Sequence, residues 1–245
     1  MWDDHKALRQ LANALLWLSA GLVLFGAVHV LLHLPLFPLR VVKLDAAPQR
    51  VSVDEVDAVL HQALRGTFFT ADLERVRQGL EQLPWVRKVS VRRSFPARLE
   101  ISIEEHQAFA HWNGSALVNA YGEVFQAETE QVLPQFVGQP EMAAEMVAKY
   151  AELTQQVAPL QRGISQIRLS PRHAWRLKLD NGMVLELGRE DIEQRLARFV
   201  SVYRYSLAAL PYSVNYVDLR YRDGFAVYVP GMTEKLGNRG VKGKV

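Results

Sequence analysis

The chain has 245 residues, 49% of them apolar and 22% charged, with a formal net charge of +3 and a sequence pI of about 9.2. That composition suits a globular fold with a real core, and the mild basic excess does not by itself point to nucleic acid. There is no cysteine, which excludes disulfides, thiol catalysis and thiolate metal sites.

Residues 1–10 form a short tail. Leu11 to Leu34 follows without one Lys, Arg, Asp or Glu, and a helix of that length crosses a hydrocarbon core of about 30 Å. A cleaved signal peptide has a shorter apolar run and small residues at its cut site. Here the run continues through His29-Val-Leu-Leu-His33, so the segment reads as a retained anchor. Lys6 and Arg9 before it nearly balance Arg40 and Lys43 after it, so charge alone leaves its direction open. The layout of a short basic tail before an uncleaved helix favours the N-terminus inside and the large domain outside.

Pro35 and Pro38 close the anchor, and Leu39 to Leu44 reads as a strand. Ser52 and Glu55 make a capping box for a helix with Val53, Val56, Leu60, Ala63 and Leu64 on one face, ended by Gly66. Thr70 is the expected N-cap of a second helix that buries Leu73, Val76, Leu80 and Leu83 before Pro84. Two alternating strands then flank a Ser94-Phe95-Pro96 turn. Val91 opposite Ile101 sets Arg92 against Glu100 and Lys88 against Glu104, whereas the neighbouring register sets Arg92 against Arg98. The favourable register is expected, with a solvated outer face.

These residues carry a resemblance. Gly66-Thr-Phe-Phe-Thr-Ala-Asp-Leu73, Leu83-Pro-Trp-Val86, Val91-Arg-Arg-Ser-Phe-Pro96 and Leu99-Glu-Ile-Ser-Ile-Glu-Glu-His106 with Ala110-His-Trp112 resemble the FtsQ (DivIB) family of bacterial cell-division proteins. The resemblance implies an α+β protein. Its parts are a cytoplasmic tail (1–10), one transmembrane helix (11–34), a β-α-α-β-β POTRA domain (35–106), a mixed β domain with helices on an antiparallel-rich sheet (107–230) and a basic tail (231–245). The expected location is the inner membrane at the division septum, with the C-terminal domain periplasmic.

Past Glu105 the sequence is β-rich. Asn113-Gly114 is a hairpin signal between Phe109–Trp112 and Leu117–Asn119, and Tyr121 to Phe125 continues the meander. Pro140 precedes a helix, running to about Val157, that turns Met142, Met146, Val147, Tyr150 and Leu153 inward. Strands are expected at Ile164–Leu169, Trp175–Leu179 and Met183–Leu187. A helix from Asp191 to Leu207 buries Ile192, Leu196, Phe199, Val200 and Tyr203; Leu185-Glu-Leu-Gly-Arg189 and Arg195-Leu-Ala-Arg-Phe199 are also similar to the family's β domain. In the last hairpin, a three-residue Arg222-Asp-Gly224 loop with Gly224 at positive φ keeps Val217, Leu219 and Tyr221 on one face with Phe225, Val227 and Val229. After Pro230 the chain is Gly-rich and basic, so disorder is expected and Phe225 to Val229 becomes a candidate edge strand.

Catalytic and metal signatures are weak. His29 and His33 are one helical turn apart without a third ligand, and His106 and His111 straddle a strand at odd spacing. Glu104 and Glu105 are adjacent on a strand, so their side chains diverge. No cofactor, metal, small-molecule substrate or nucleic acid is expected, and the chain reads as non-enzymatic. A wall-cleaving enzyme is the alternative, with specific peptidoglycan cleavage as its test; an outer-membrane transporter would need many more membrane-facing strands. The resemblance implies that the β domain recruits the FtsB–FtsL pair through Tyr221, Asp223, Gly224, Phe225, Ala226, Val227, Tyr228 and Val229. It implies further division-protein contacts through the POTRA domain or the anchor.

Overall fold

The computed structural model describes residues 5–33, 41–44, 48–95, 97–208, 213–222 and 224–230. Pro35, Pro38, Pro96, Asp223 and the basic tail from 231 lie outside them. The chain divides into two compact units, residues 1–106 and 107–245.

Helix α1 (His5–His33) contains an apolar span, Leu8–Val30, with mean hydropathy 2.0. That length and composition are sufficient to cross a membrane. It starts before the apolar run because His5 to Gln10 continues the helix, so part of the expected tail is helical.

Strand β1 (Val41–Leu44), α2 (Val53–Ala63), α3 (Leu73–Glu81), β2 (Val86–Ser94) and β3 (Arg98–Glu105) follow in the expected order. The sheet order is β1-β3-β2, with β1 parallel to β3 and β2 antiparallel to it. The expected capping box is present: Glu55 N–H donates to the Ser52 hydroxyl, and Ser52 N–H to the Glu55 carboxylate. Val56, Leu60 and Ala63 are buried with Val76, Leu80, Val86, Val89 and Ile101. Val53 is instead 62% exposed; it is the first helical residue and has no turn of core beneath it. The cap of α3 is Asp72, whose carboxylate accepts from Arg75 N–H at 3.1 Å. Thr70, expected in that role, turns its hydroxyl back to accept from Thr67 N–H at 2.9 Å and closes the preceding turn.

Val91 pairs with Ile101, Arg92 with Glu100 and Lys88 with Glu104, as the charge argument requires. Arg92 Nε lies 2.9 Å from Glu100. A bulge between Val86 and Lys88 brings Arg87 rather than Lys88 onto the Glu104 carboxylate, at 2.5 Å. Glu105 departs from its neighbour: its carboxylate accepts from the backbone N–H groups of Gln49, Arg50 and Val51 at 3.0, 2.8 and 2.9 Å. Burial pushes its pKa up, and the three donors outweigh that and hold it below the ordinary value.

Among its described residues the second unit builds a nine-stranded sheet, β12-β11-β10-β9-β8-β7-β4-β5-β6. Its first strands are β4 (Ala108–Trp112), β5 (Ala116–Asn119), β6 (Val124–Phe125) and β7 (Gln135–Val137). Asn113 and Gly114 take φ of 49° and 81° in the β4–β5 turn. Next come α4 (Ala143–Val157), entered through a 3₁₀ turn at Pro140–Met142, then β8 (Ile164–Leu169), β9 (Trp175–Leu179) and β10 (Val184–Gly188). Helix α5 (Ile192–Ser206), β11 (Tyr216–Asp218) and β12 (Ala226–Tyr228) complete the unit. Five strand pairs are antiparallel and three parallel, so the sheet is mixed and antiparallel-rich.

One cross-strand row organises the core. Val227, Val217, Leu185, Leu177, Ile167, Phe136, Trp112 and Ala116 are successive register partners from β12 to β5. Met146 and Leu153 of α4 and Leu196 and Phe199 of α5 are buried in the same core.

Candidate functional site: the terminal edge strand

The resemblance pointed to Tyr221 through Val229, and the fold places this segment at one end of the large sheet. β11 lies parallel to β10 and antiparallel to β12, and β12 is the last strand among the described residues. Register partners are Tyr216 with Tyr228, Val217 with Val227, and Asp218 with Ala226. This differs from the expected hairpin. A three-residue loop would pair Tyr221 with Phe225, whereas the ladder stops at Asp218 and Ala226 and runs two residues out of that register. Asp218 is the physical cause. Its carboxylate accepts from Arg220 N–H at 3.0 Å and from the Arg220 guanidinium at 2.9 and 2.7 Å, which turns the chain out of the ladder. The slip is even, so the two apolar sets still share one face.

The segment therefore has two kinds of side chain. Phe225 and Val227 pack partly buried on the core and Val229 is fully inside it; the Phe225 ring meets Phe199 of α5 edge-on at 5.6 Å. Ala226 and Tyr228 are exposed, Tyr228 by 51%. Tyr221, 57% exposed, lines a shallow cleft of about 450 Å³ with Arg222, Gly224, Phe225 and Ala226. Arg198 of α5 donates to the Arg222 carbonyl and ties this loop to the helix. Asp223 lies outside the described residues.

Backbone direction follows from the ladder. The Tyr228 carbonyl accepts from Asn215 N–H at 3.3 Å, so Tyr228 turns its main-chain groups into the sheet. Hydrogen-bonding residues alternate along an antiparallel strand. Phe225, Val227 and Val229 thus direct N–H and C=O away from β11, toward the side on which no further strand stands among the described residues.

The outer face beside this edge holds a charged row assembled across neighbouring strands. Ala226, Asp218, Glu186, Arg176 and Arg168 are successive register partners. Glu186 and Asp218 are buried side by side, each answered by an arginine: Arg176 Nε lies 2.6 Å from Glu186, and Arg220 Nη2 2.7 Å from Asp218. The Arg220 hydrogen bonds lower the Asp218 pKa against the opposing effect of burial. Burial first, then these two carboxylates, push the Tyr216 phenol up. The carboxylates lie beneath and the guanidinium groups are about half exposed, so the accessible charge next to the edge is positive. The alternation Tyr216-Asp218-Arg220 was visible in the chain; the pairing of Asp218 with Glu186 depends on a parallel contact that no local pattern encodes.

Among the described residues, no group of three His, Asp or Glu is placed to hold a metal. His29 stacks on Phe25, with centroids 6.2 Å apart. The main chains at His106 and His111 donate to Trp85 and Pro134 carbonyls.

Comparison with known proteins fits this architecture. The family model for the POTRA domain, FtsQ-type, matches residues 37–106, and that for Cell division protein FtsQ/DivIB, C-terminal, matches residues 110–220. The second match ends at Arg220, before β12. The chain is 43% identical over 231 residues to Cell division protein FtsQ of Nitrosospira multiformis, covering 92% of this chain and 98% of that protein. The FtsQ of Burkholderia pseudomallei is 36% identical, covering 95% and 96%, and that of Neisseria gonorrhoeae 30%, covering 96% and 98%. Over nearly its whole length, from the N-terminal apolar helix through the POTRA unit to the mixed sheet, the chain belongs to the FtsQ/DivIB family of cell-division proteins.

Proposed function

We propose that this protein is a non-enzymatic divisome scaffold, anchored by α1 in the inner membrane with its N-terminus cytoplasmic and both globular units periplasmic. It recruits the FtsB–FtsL pair at the septum through β12. The POTRA domain or the anchor carries contacts to other division proteins.

One observation supports this reading of the site: among the described residues β12 is the last strand of the sheet, with the main-chain groups of Phe225, Val227 and Val229 turned away from β11. Such an edge adds a partner strand by backbone hydrogen bonds, while neighbouring side chains select the partner. Tyr228, Tyr221 and the exposed Arg176 and Arg220 guanidinium groups favour a partner that brings apolar and acidic side chains.

Hydrogen exchange on the full chain in nanodiscs, with and without the FtsB–FtsL pair, tests this. The amides of Phe225, Val227 and Val229 should slow at least about tenfold on binding, the signature of ladder formation. The Tyr228 amide, directed into the sheet, should change little. Capture of the pair with no protection at these three amides would move the site elsewhere.

A further inference from the structure

The POTRA unit carries an exposed aromatic at an unusual place. Phe95, at the β2–β3 connection, is 82% exposed, and Phe69 is also exposed on the loop before α3. These two features share one end of the unit. Arg93, next to the last residue of β2, donates from Nε to the Phe68 carbonyl at 2.8 Å and from Nη2 to the Ala71 carbonyl at 2.7 Å, clamping that loop beside the hairpin tip. Arg98 pairs with Ser94 across the mouth of the tip and is exposed. The acidic groups at this end are already engaged: Glu100 with Arg92, and Asp72 with the N-terminus of α3.

The direction in which this end faces follows from topology. Val41, the first residue of β1, pairs with Arg98, the first residue of β3. The chain arriving from α1 therefore enters the unit at the hairpin tip and runs away from it. Between His33 and Val41 stand seven residues, which span at most about 25 Å when fully extended. The tip is thus held within about that reach of the helix end, whereas the reach of the far end is longer by the length of β3.

We propose that this tip seats on the anionic headgroups of the membrane that anchors the chain, with Phe95 entering the interfacial layer and Arg98 and Arg93 facing lipid phosphates. The inference rests on α1 spanning that membrane. A Phe ring flanked by basic side chains can bury itself at the headgroup–acyl boundary, and basic side chains near it are drawn to anionic lipid. Once anchored, the tip is delivered to that surface at high effective concentration, so a weak intrinsic affinity suffices. Contact there would fix the tilt of the POTRA unit relative to the bilayer.

The absence of cysteine makes the test direct. Full-length protein carrying Ala97→Cys is labelled with an environment-sensitive fluorophore and reconstituted into phosphatidylethanolamine–phosphatidylglycerol vesicles containing nitroxide-headgroup lipid. Gln107→Cys, two residues past the far end of β3 and at the start of the second unit, is the reference position. Resistance of the protein to carbonate extraction establishes separately that α1 is inserted. The position-97 label should be quenched well above the reference. In wild-type background, quenching should fall when phosphatidylglycerol is replaced by phosphatidylcholine, a comparison that requires no folding-sensitive variant. Phe95→Ser with Arg98→Glu should lower surface occupancy by at least about fivefold, the effect of removing one cation near an anionic surface. An anchored protein whose position-97 label is quenched no more than position 107, or is equally quenched on neutral vesicles and in the double variant, would overturn the proposal.

Discussion

Proline at position 227 separates edge pairing from fold stability. The Val227 N–H points away from β11, because Tyr228 directs its carbonyl into the sheet and the pattern alternates. Val227→Pro therefore removes no ladder hydrogen bond within the hairpin. It loses some partly buried contact and restricts φ, a cost of about 1 kcal/mol. In a domain of this size that lowers the melting temperature by roughly 2–4 °C. In the complex, the missing donor leaves a partner carbonyl unsatisfied, which costs about 1–3 kcal/mol, or roughly a 5- to 150-fold rise in Kd. Tyr228→Pro is the matched contrast. It removes an inward donor and should release β12 from β11, lowering the melting temperature by several degrees and removing binding through loss of the strand. Full-length variants in detergent, measured by thermal melting and by titration with the FtsB–FtsL pair, distinguish the two effects. Unchanged affinity together with an unchanged melt for Val227→Pro would refute strand addition at this edge. A collapsed melt for Val227→Pro would mean the N–H faces inward.

Three further outcomes are expected. Glu105→Gln keeps the shape but gives up a charged acceptor of three backbone N–H groups, so it should destabilise the POTRA unit by about 1–3 kcal/mol at neutral pH. Because the Glu105 pKa is lowered on folding, its contribution is complete above the ordinary carboxylate value of about 4.3 and is lost as pH falls through the depressed one, so urea midpoints of wild type and variant should converge in acid. Gly122→Ala meets two obstacles, a φ of +80° and an added Cβ 2.3 Å from the Ala144 Cα at the start of α4; a loss of about 3 kcal/mol or more should appear in thermal melts. Asn119 is 1% exposed, accepts from Tyr121 and Glu123 N–H at 2.9 Å each, and donates to the Glu123 carboxylate. Asn119→Ala strands two donors and should lower the chemical-denaturation midpoint of the β domain by the equivalent of about 2–3 kcal/mol.

The first unit was legible because its determinants are local. Pleat parity and charge together leave one β2–β3 register, and Ser52-x-x-Glu55 fixes the start of α2. Thr70 misled because two residues with capping side chains, Thr70 and Asp72, stand close together, and the hydroxyl was already committed to Thr67. β7 was not read at all. Gln135-Phe-Val137 offers one core side chain, Phe136, and exists as a strand only because β4 and β8 flank it in parallel. The charged row beside β12 failed for the same reason: Glu186 and Asp218 meet across a parallel contact between segments separated by α5.

The register of the last hairpin was misread by two residues, yet the direction of its edge is insensitive to that error. Leu219 N–H donates to the Glu186 carbonyl of β10, so the odd residues of β11 bond toward β10 and the even ones toward β12. An antiparallel partner shifted by two keeps its own parity. Val227 therefore turns its N–H outward whether it stands opposite Val217, as found, or opposite Leu219, as a three-residue loop would require. Only a one-residue slip would turn it inward, and that slip would also swing Phe225 off Phe199 and Val229 out of the core. The burial of those two side chains thus fixes the backbone direction of the edge, and substituting Phe225 with Ser should cost both stability and partner capture, whereas Val227→Pro should cost mainly the second.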